Sequence, residues 1–136
     1  MRTLEQQIVL LAQPDADTCE MYGDLLRLHG FVVLAFSDAD EALQMAPVAN
    51  IVITDVRLRG ATDGLQLIAR LRCDERTRHT PVIVLTACAF PYHQARAEAV
   101  GCDRFLPIPC LPDRLLREVQ RFLPRQLRAS RAGAHR

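Results

Sequence analysis

Lysine is absent from this chain: all seventeen basic residues among its 136 are arginine, so any function that requires a lysine amine is excluded. Long apolar runs are missing too. No stretch approaches the ~18 residues of a membrane span, and Glu5-Gln6-Gln7 stand where a secretory signal needs its apolar segment. A cytoplasmic protein is expected. The cysteines Cys19, Cys73, Cys88, Cys102 and Cys110 form no C-x-x-C pair, and His29, His79, His93 and His135 show no cluster spacing. In a reducing compartment that pattern reads as buried thiols, not disulfides or zinc ligands, and as surface or turn histidines. The formal charge is +1, but the segment Pro124 to Arg136 holds four arginines and no acid, leaving −3 on residues 1–123. The body is mildly acidic. Residues 1–123 fit one domain with one core, and 124–136 are expected to be a basic, disordered, solvated tail and not a nucleic-acid contact.

What is present is a regular alternation. Ile8 to Ala12 is a short apolar run stopped by Gln13-Pro14-Asp15, as in a strand buried on both faces. Met21, Leu25, Leu26 and Leu28 recur at helical spacing before Gly30. Val32 to Phe36 reads as a second strand, and Ser37 followed by Asp40 and Glu41 predicts a helix start with capping-box chemistry. Ile51 to Asp55 is a third strand. Leu65, Leu67, Ile68 and Leu71 mark the next helix, Val82 to Thr86 a fourth strand, Tyr92 to Val100 a helix, and Arg104 to Pro107 a fifth strand. Pro112 to Leu123 closes the series as an amphipathic helix with proline in its first turn. Strands and helices in strict alternation imply right-handed crossovers and a parallel sheet covered on both faces. In such a sheet chemistry sits at the C-terminal lips of the strands, which here carry Gln13-Pro14-Asp15, Asp55 and Thr86.

Over residues 7–123 the sequence resembles the receiver domain of two-component response regulators. Asp55 with the loop from Val56 to Gly64 resembles the family's phosphoacceptor and its loop. Pro81 to Ala87 resembles its fourth strand with the switch hydroxyl at Thr86. Gly101 to Pro109 resembles its fifth strand, with the switch aromatic at Phe105 and a proline preceded by a cis bond. The resemblance implies a flavodoxin-like, doubly wound (βα)5 fold with a five-stranded parallel sheet in the order 2-1-3-4-5. It implies a signalling module, not an enzyme, that receives a phosphoryl group from a sensor histidine kinase and contacts other signalling proteins. In the family an acidic pair after the first strand holds Mg2+ and a lysine before the cis proline grips the phosphoryl oxygen.

Here the acidic-pair positions are Gln13 and Pro14 and the lysine position is Ile108. Proline has no side-chain ligand atom, and hard Mg2+ selects carboxylates. No Mg2+ site of the usual kind is expected. Asp15 is one residue late, and either turns away or reaches the pocket from its loop. Arg57, two residues beyond Asp55, is the nearby cation; it pairs with the Asp55 carboxylate in place of a metal, or is solvated at the loop surface. Gln13, Pro14, Asp15, Arg57, Ala87, Ile108 and Pro109 together line the expected pocket. Cys88 and Cys110 are placed near it, as structural thiols and not redox sensors.

The reading is therefore a stand-alone receiver-like module in a phosphorelay, with impaired or absent Mg2+-dependent phosphorylation, acting through protein contacts. A working phosphoacceptor at Asp55 that uses Arg57, Gln13 or Asp15 is the alternative. A flavin or nucleotide binder is a remote third, because residues 13–18 offer only Thr18 and two acids where a phosphate needs a Gly/Ser/Thr-rich loop. Leu115, Leu116, Val119, Phe122 and Leu123 exceed one buried stripe; either some of them complete a homodimer or partner contact through the face of the fourth helix, fifth strand and fifth helix, or packing over the fifth strand absorbs them all. No output domain and no membrane association are expected.

Overall fold

The alternation becomes β1 (Ile8–Ala12), α1 (Ala16–Leu28), β2 (Val32–Phe36), α2 (Ala39–Met45), β3 (Ile51–Thr54), α3 (Gly64–Arg72), β4 (Val82–Thr86), α4 (Pro91–Val100), β5 (Arg104–Pro107) and α5 (Pro112–Phe122), with a 3-10 turn at Ala46–Val48. The computed structural model describes residues 6–123, and the basic segment 124–136 lies outside them. The strands pair in parallel in the order β2-β1-β3-β4-β5. This is the flavodoxin-like order expected from the sequence, and its winding reverses between β1 and β3, where such sheets bind ligands.

Period-two alternation sorts each strand between two cores. Val9, Leu11, Ile51, Ile53, Ile83 and Leu85 face α1 and α5, meeting Tyr22, Leu26, Leu115 and Val119. Leu10, Val52, Val82 and Val84 face α2, α3 and α4, meeting Ala42, Leu67, Ile68 and Ala97. The strands in the middle of the sheet read as continuous apolar runs because both of their faces are covered. Each such side chain contributes about 1.5–3 kcal/mol on burial.

Side-chain caps set where the helices begin. Asp15 accepts from the Thr18 N–H to open α1, and Asp63 exchanges hydrogen bonds with Gln66 in a capping box that opens α3. Asp38, not Ser37, caps α2, through the N–H groups of Asp40 and Glu41. Helices α4 and α5 start on Pro91 and Pro112, which have no N–H to satisfy.

The surplus apolar positions of α5 are used inside the domain. Leu115, Val119 and Leu123 are buried, and Leu116 and Phe122 are half-buried, so the apolar excess that pointed to a homodimer on this helix packs largely over the sheet. At the opposite end of the sheet from the site, Arg72 donates to the carbonyl oxygens of Thr80 (2.7 Å), Arg78 (3.1 Å) and Gly101 (2.8 Å) and to Asp103 (3.0 Å). One guanidinium thus ties the α3–β4 and α4–β5 connections together.

Candidate functional site

Asp55 follows the last residue of β3, with 8 % of its surface exposed. Its Oδ1 accepts two hydrogen bonds, from the Thr86 hydroxyl at 2.6 Å and from the Arg57 main-chain N–H at 3.1 Å. Thr86 ends β4 and is fully buried, and its Oγ1 accepts in turn from the Cys88 N–H at 3.0 Å. The chain from the Cys88 amide through the Thr86 hydroxyl to the carboxylate fixes the hydroxyl rotor on Asp55. No described residue donates to Oδ2.

Gln13 occupies the lip of β1 and is 1 % exposed. Its Nε2 donates to the Leu85 carbonyl of β4 at 3.1 Å, while Oε1 is buried without a partner. The side chain therefore reaches from β1 to β4 past the end of β3. A neutral amide, anchored to the main chain, takes space beside Asp55 where a carboxylate was sought.

The remaining expected pocket residues divide. Pro14 is half-buried and gives only its carbonyl, which accepts from Arg59 Nε at 3.1 Å. Asp15 is exposed and turned to its own helix: the Thr18 hydroxyl, then the Thr18 N–H, and then the charge of Arg59 hold its carboxyl below the ordinary range. It does not reach Asp55. Arg57 is exposed and touches the carboxylate only through its main-chain N–H, so the guanidinium ion pair is replaced by a backbone hydrogen bond. A loop arginine gains more hydration at the surface than it would recover in a site with one carboxylate. Ala87 is exposed, and Ile108 precedes Pro109 across a cis peptide bond, half-buried against the α1–α5 core. Phe105 is half-buried and packs on the α2–α4 side. Cys110 lies in the opposite core, where burial pushes its thiol up and its carbonyl accepts from Tyr22 Oη at 2.9 Å. His93 is half-buried, its ring 4.0 Å from that of Tyr92, and so is not the plain surface residue expected.

Two features of the loop escaped sequence reasoning. A Cβ on Gly64 would overlap the Asp55 carbonyl oxygen, so the start of α3 closes directly on the backbone of the acidic residue. Arg59 clamps three lips together: its N–H donates to Ser37 O at 2.8 Å and its Nε to Pro14 O. Beside it Gly60 adopts φ +89°, where a Cβ would sit 2.7 Å from Asp38 Oδ2. The Asp-Gly pair at 63–64 was a visible turn signal. The Arg59 contacts span 22 and 45 residues and left no local pattern.

Residues 9–120 match the response regulator receiver domain. The chain belongs to the receiver domain family of response regulators. It is a signalling module of two-component systems and not an enzyme. It is 31% identical over 124 residues to an uncharacterised 14.6 kDa protein of Leptolyngbya boryana, covering 90% of this chain and 94% of that one. It is 25% identical over 117 residues to the polar-differentiation response regulator DivK of Brucella ovis, covering 85% and 94%. Among solved structures the chemotaxis protein CheY4 of Vibrio cholerae superposes with a TM-score of 0.81 at 26% identity, over 88% of this chain and 100% of that one. The receiver domain of the sensor histidine kinase PA1611 of Pseudomonas aeruginosa, with a magnesium ion coordinated in its active-site cleft, gives 0.79 at 26% identity over 87% and 98%.

Against that family the donor set here is a poor fit to Mg2+. A hard cation takes six oxygens and favours carboxylates. This receiver offers Asp55 alone, together with an amide oxygen on a side chain already tied to β4. No group of three or more His, Cys, Asp or Glu able to hold a metal occurs among the described residues. Nor does any described helix have the length and apolarity to cross a membrane.

Proposed function

We propose that this receiver signals without Mg2+-dependent phosphorylation at Asp55, through protein contacts made by a switch that the site itself holds in one position. One observation carries the reading: the Thr86 hydroxyl already donates to Asp55 Oδ1 at 2.6 Å. In a phosphorylated receiver the hydroxyl is expected to turn toward the phosphoryl group. Here the carboxylate itself is the acceptor, and Gln13, Pro14 and Ile108 supply neither the acidic pair nor the lysine that would alter that balance. Transfer of a phosphoryl group relies on positioned cations to neutralise charge on its equatorial oxygens. An exposed arginine on a loop does not organise such an attack.

Receivers work with histidine kinases and other signalling proteins, and the lip beside α4 offers a surface for such a partner. Phe90 is 67% exposed, Tyr92 58% and Leu111 76%, and the Phe90 and Tyr92 rings stack with centroids 6.3 Å apart. Exposed aromatics at one lip are unusual on a free surface and typical of a contact.

The test is intact-protein mass spectrometry after incubation with a small-molecule phosphodonor and Mg2+, with Asp55→Asn as control. The expected result is no gain of a phosphoryl group in folded protein. A gain in the parent that the control lacks overturns the proposal in favour of a working phosphoacceptor, a reading supported by the unpartnered Oδ2 of Asp55. The flavin or nucleotide reading has no support in the site: Asp15 and Asp17 put negative charge at the start of α1, where a phosphate would have to bind.

A further inference from the structure

Helices α1 and α5 lie side by side on the same face of the sheet, and their solvent poles carry opposite charge. On α1 the residues farthest from the core are Asp17, Met21, Asp24 and Leu28, with Glu20 alongside; Met21 is 52% and Leu28 81% exposed. On α5 they are Arg114, Arg117 and Arg121, with Leu111 at the N-terminal end. These groups are not used up within the domain. Asp17, Glu20, Arg114 and Arg117 pair with no other described residue, and Asp24 and Arg121 make only long contacts, at 3.4 Å and 3.8 Å, within their own helices.

The spacing adds a register to the complementarity. Both helices follow parallel strands and run in the same direction, so a two-fold axis lying in the contact plane along the helices sets α1 of one copy parallel to α5 of the other. In a single parallel register Asp17 then faces Arg114, Glu20 and Met21 face Arg117, and Asp24 faces Arg121. The paired runs, Asp17 to Asp24 and Arg114 to Arg121, are each about 10 Å long at 1.5 Å per residue, and the symmetry uses both runs of both copies.

We propose that this receiver associates with a second copy of itself through α1 and α5, in an isologous dimer held by acid–arginine pairs around the exposed Met21. The pairs are at the rim of the contact, so they set register and partner choice and are screened by salt. The dimer does not depend on Asp55.

Sedimentation velocity on the full chain tests this with two charge-reversal variants, Asp17→Arg with Asp24→Arg, and Arg114→Glu with Arg121→Glu. All four positions are exposed, and a thermal melt of each variant confirms folding. The expected result is a wild-type dimer that weakens by about tenfold or more from low to high salt, and two variants that are each monomeric. Mixed in equal amounts, the variants form a heterodimer, because both halves of the contact again join opposite charges. A wild-type chain that stays monomeric at low salt up to millimolar concentration overturns the proposal. So does a mixture that stays monomeric although both variants are folded, or a dimer unaffected by either pair of reversals.

Discussion

Replacing Thr86 by valine keeps the shape of the side chain and removes only the hydroxyl that links Asp55 to Cys88. The residue is fully buried, so water does not take the place of that hydroxyl. Two hydrogen bonds go at once: the 2.6 Å donation to a carboxylate and the 3.0 Å bond accepted from the Cys88 N–H. A hydrogen bond to a charged group contributes about 1.5–3 kcal/mol and an orphaned buried donor costs about 1–3 kcal/mol, so Thr86→Val is expected to destabilise by about 2.5–6 kcal/mol. With a urea slope of about 2 kcal/mol per molar for a small domain, the unfolding midpoint falls by about 1–3 M. Thr86→Ser keeps the hydroxyl and loses only a methyl group, so its midpoint stays much nearer the parent. The charge-assisted part is isolated by repeating Thr86→Val in an Asp55→Asn background, where the loss shrinks by at least about 1 kcal/mol. Equilibrium urea unfolding of the four proteins measures all of this. A Thr86→Val midpoint within about 0.3 M of the parent, or an identical loss in both backgrounds, refutes the claim that this hydrogen bond holds the switch hydroxyl.

Three further outcomes follow from the geometry. Gly64→Ala drives a Cβ into the Asp55 backbone carbonyl, so the β3–α3 loop must move; thermal unfolding is expected to show a loss of about 3 kcal/mol or more, against little change for Gly30→Ala beyond its backbone strain, since nothing lies within 4 Å of a Cβ there. Burial, followed by the charges of Glu98 and Asp103, pushes the Cys102 thiol up to about 11. Cys102 is therefore expected to resist iodoacetamide in mildly alkaline buffer while the exposed Cys73 reacts first, which peptide mass spectrometry reads directly. Hydrogen bonds from the Arg76 side chain and N–H lower the Asp74 carboxyl from 3.8 to about 2. Its folded-state value is depressed, so its stabilising contribution is complete above 3.8 and is lost as pH falls through about 2; an NMR titration of the Asp74 carboxyl that gives an ordinary midpoint contradicts the pairing.

The fold was largely written in local pattern. Strands such as Ile51–Thr54 and Val82–Thr86 are apolar on both faces because both faces are covered, and that alone separates a parallel, doubly covered sheet from a one-sided one. Caps and prolines placed the helix starts to within a residue or two, with Asp38 taking the role expected of Ser37 because its carboxylate reaches two N–H groups. The position of Asp55 at a strand lip, and the absence of lysine and of an acidic pair, were likewise visible without coordinates.

Tertiary structure decided what those residues do with one another. Sequence shows that Gln13 replaces an acid, but not that its amide spans to Leu85, 72 residues away. It shows an arginine near Asp55, but not that Arg57 turns to solvent while Arg59, two residues on, clamps the lips of β1 and β2. It shows excess apolar positions on α5, but not that the sheet absorbs most of them and leaves an arginine stripe outside, beside an acidic one on α1. Periodicity and capping are properties of neighbours along the chain, and sequence alone determined them. Hydrogen bonds between lips, the direction of a side chain and the charge of a surface depend on distances that only the closed sheet sets.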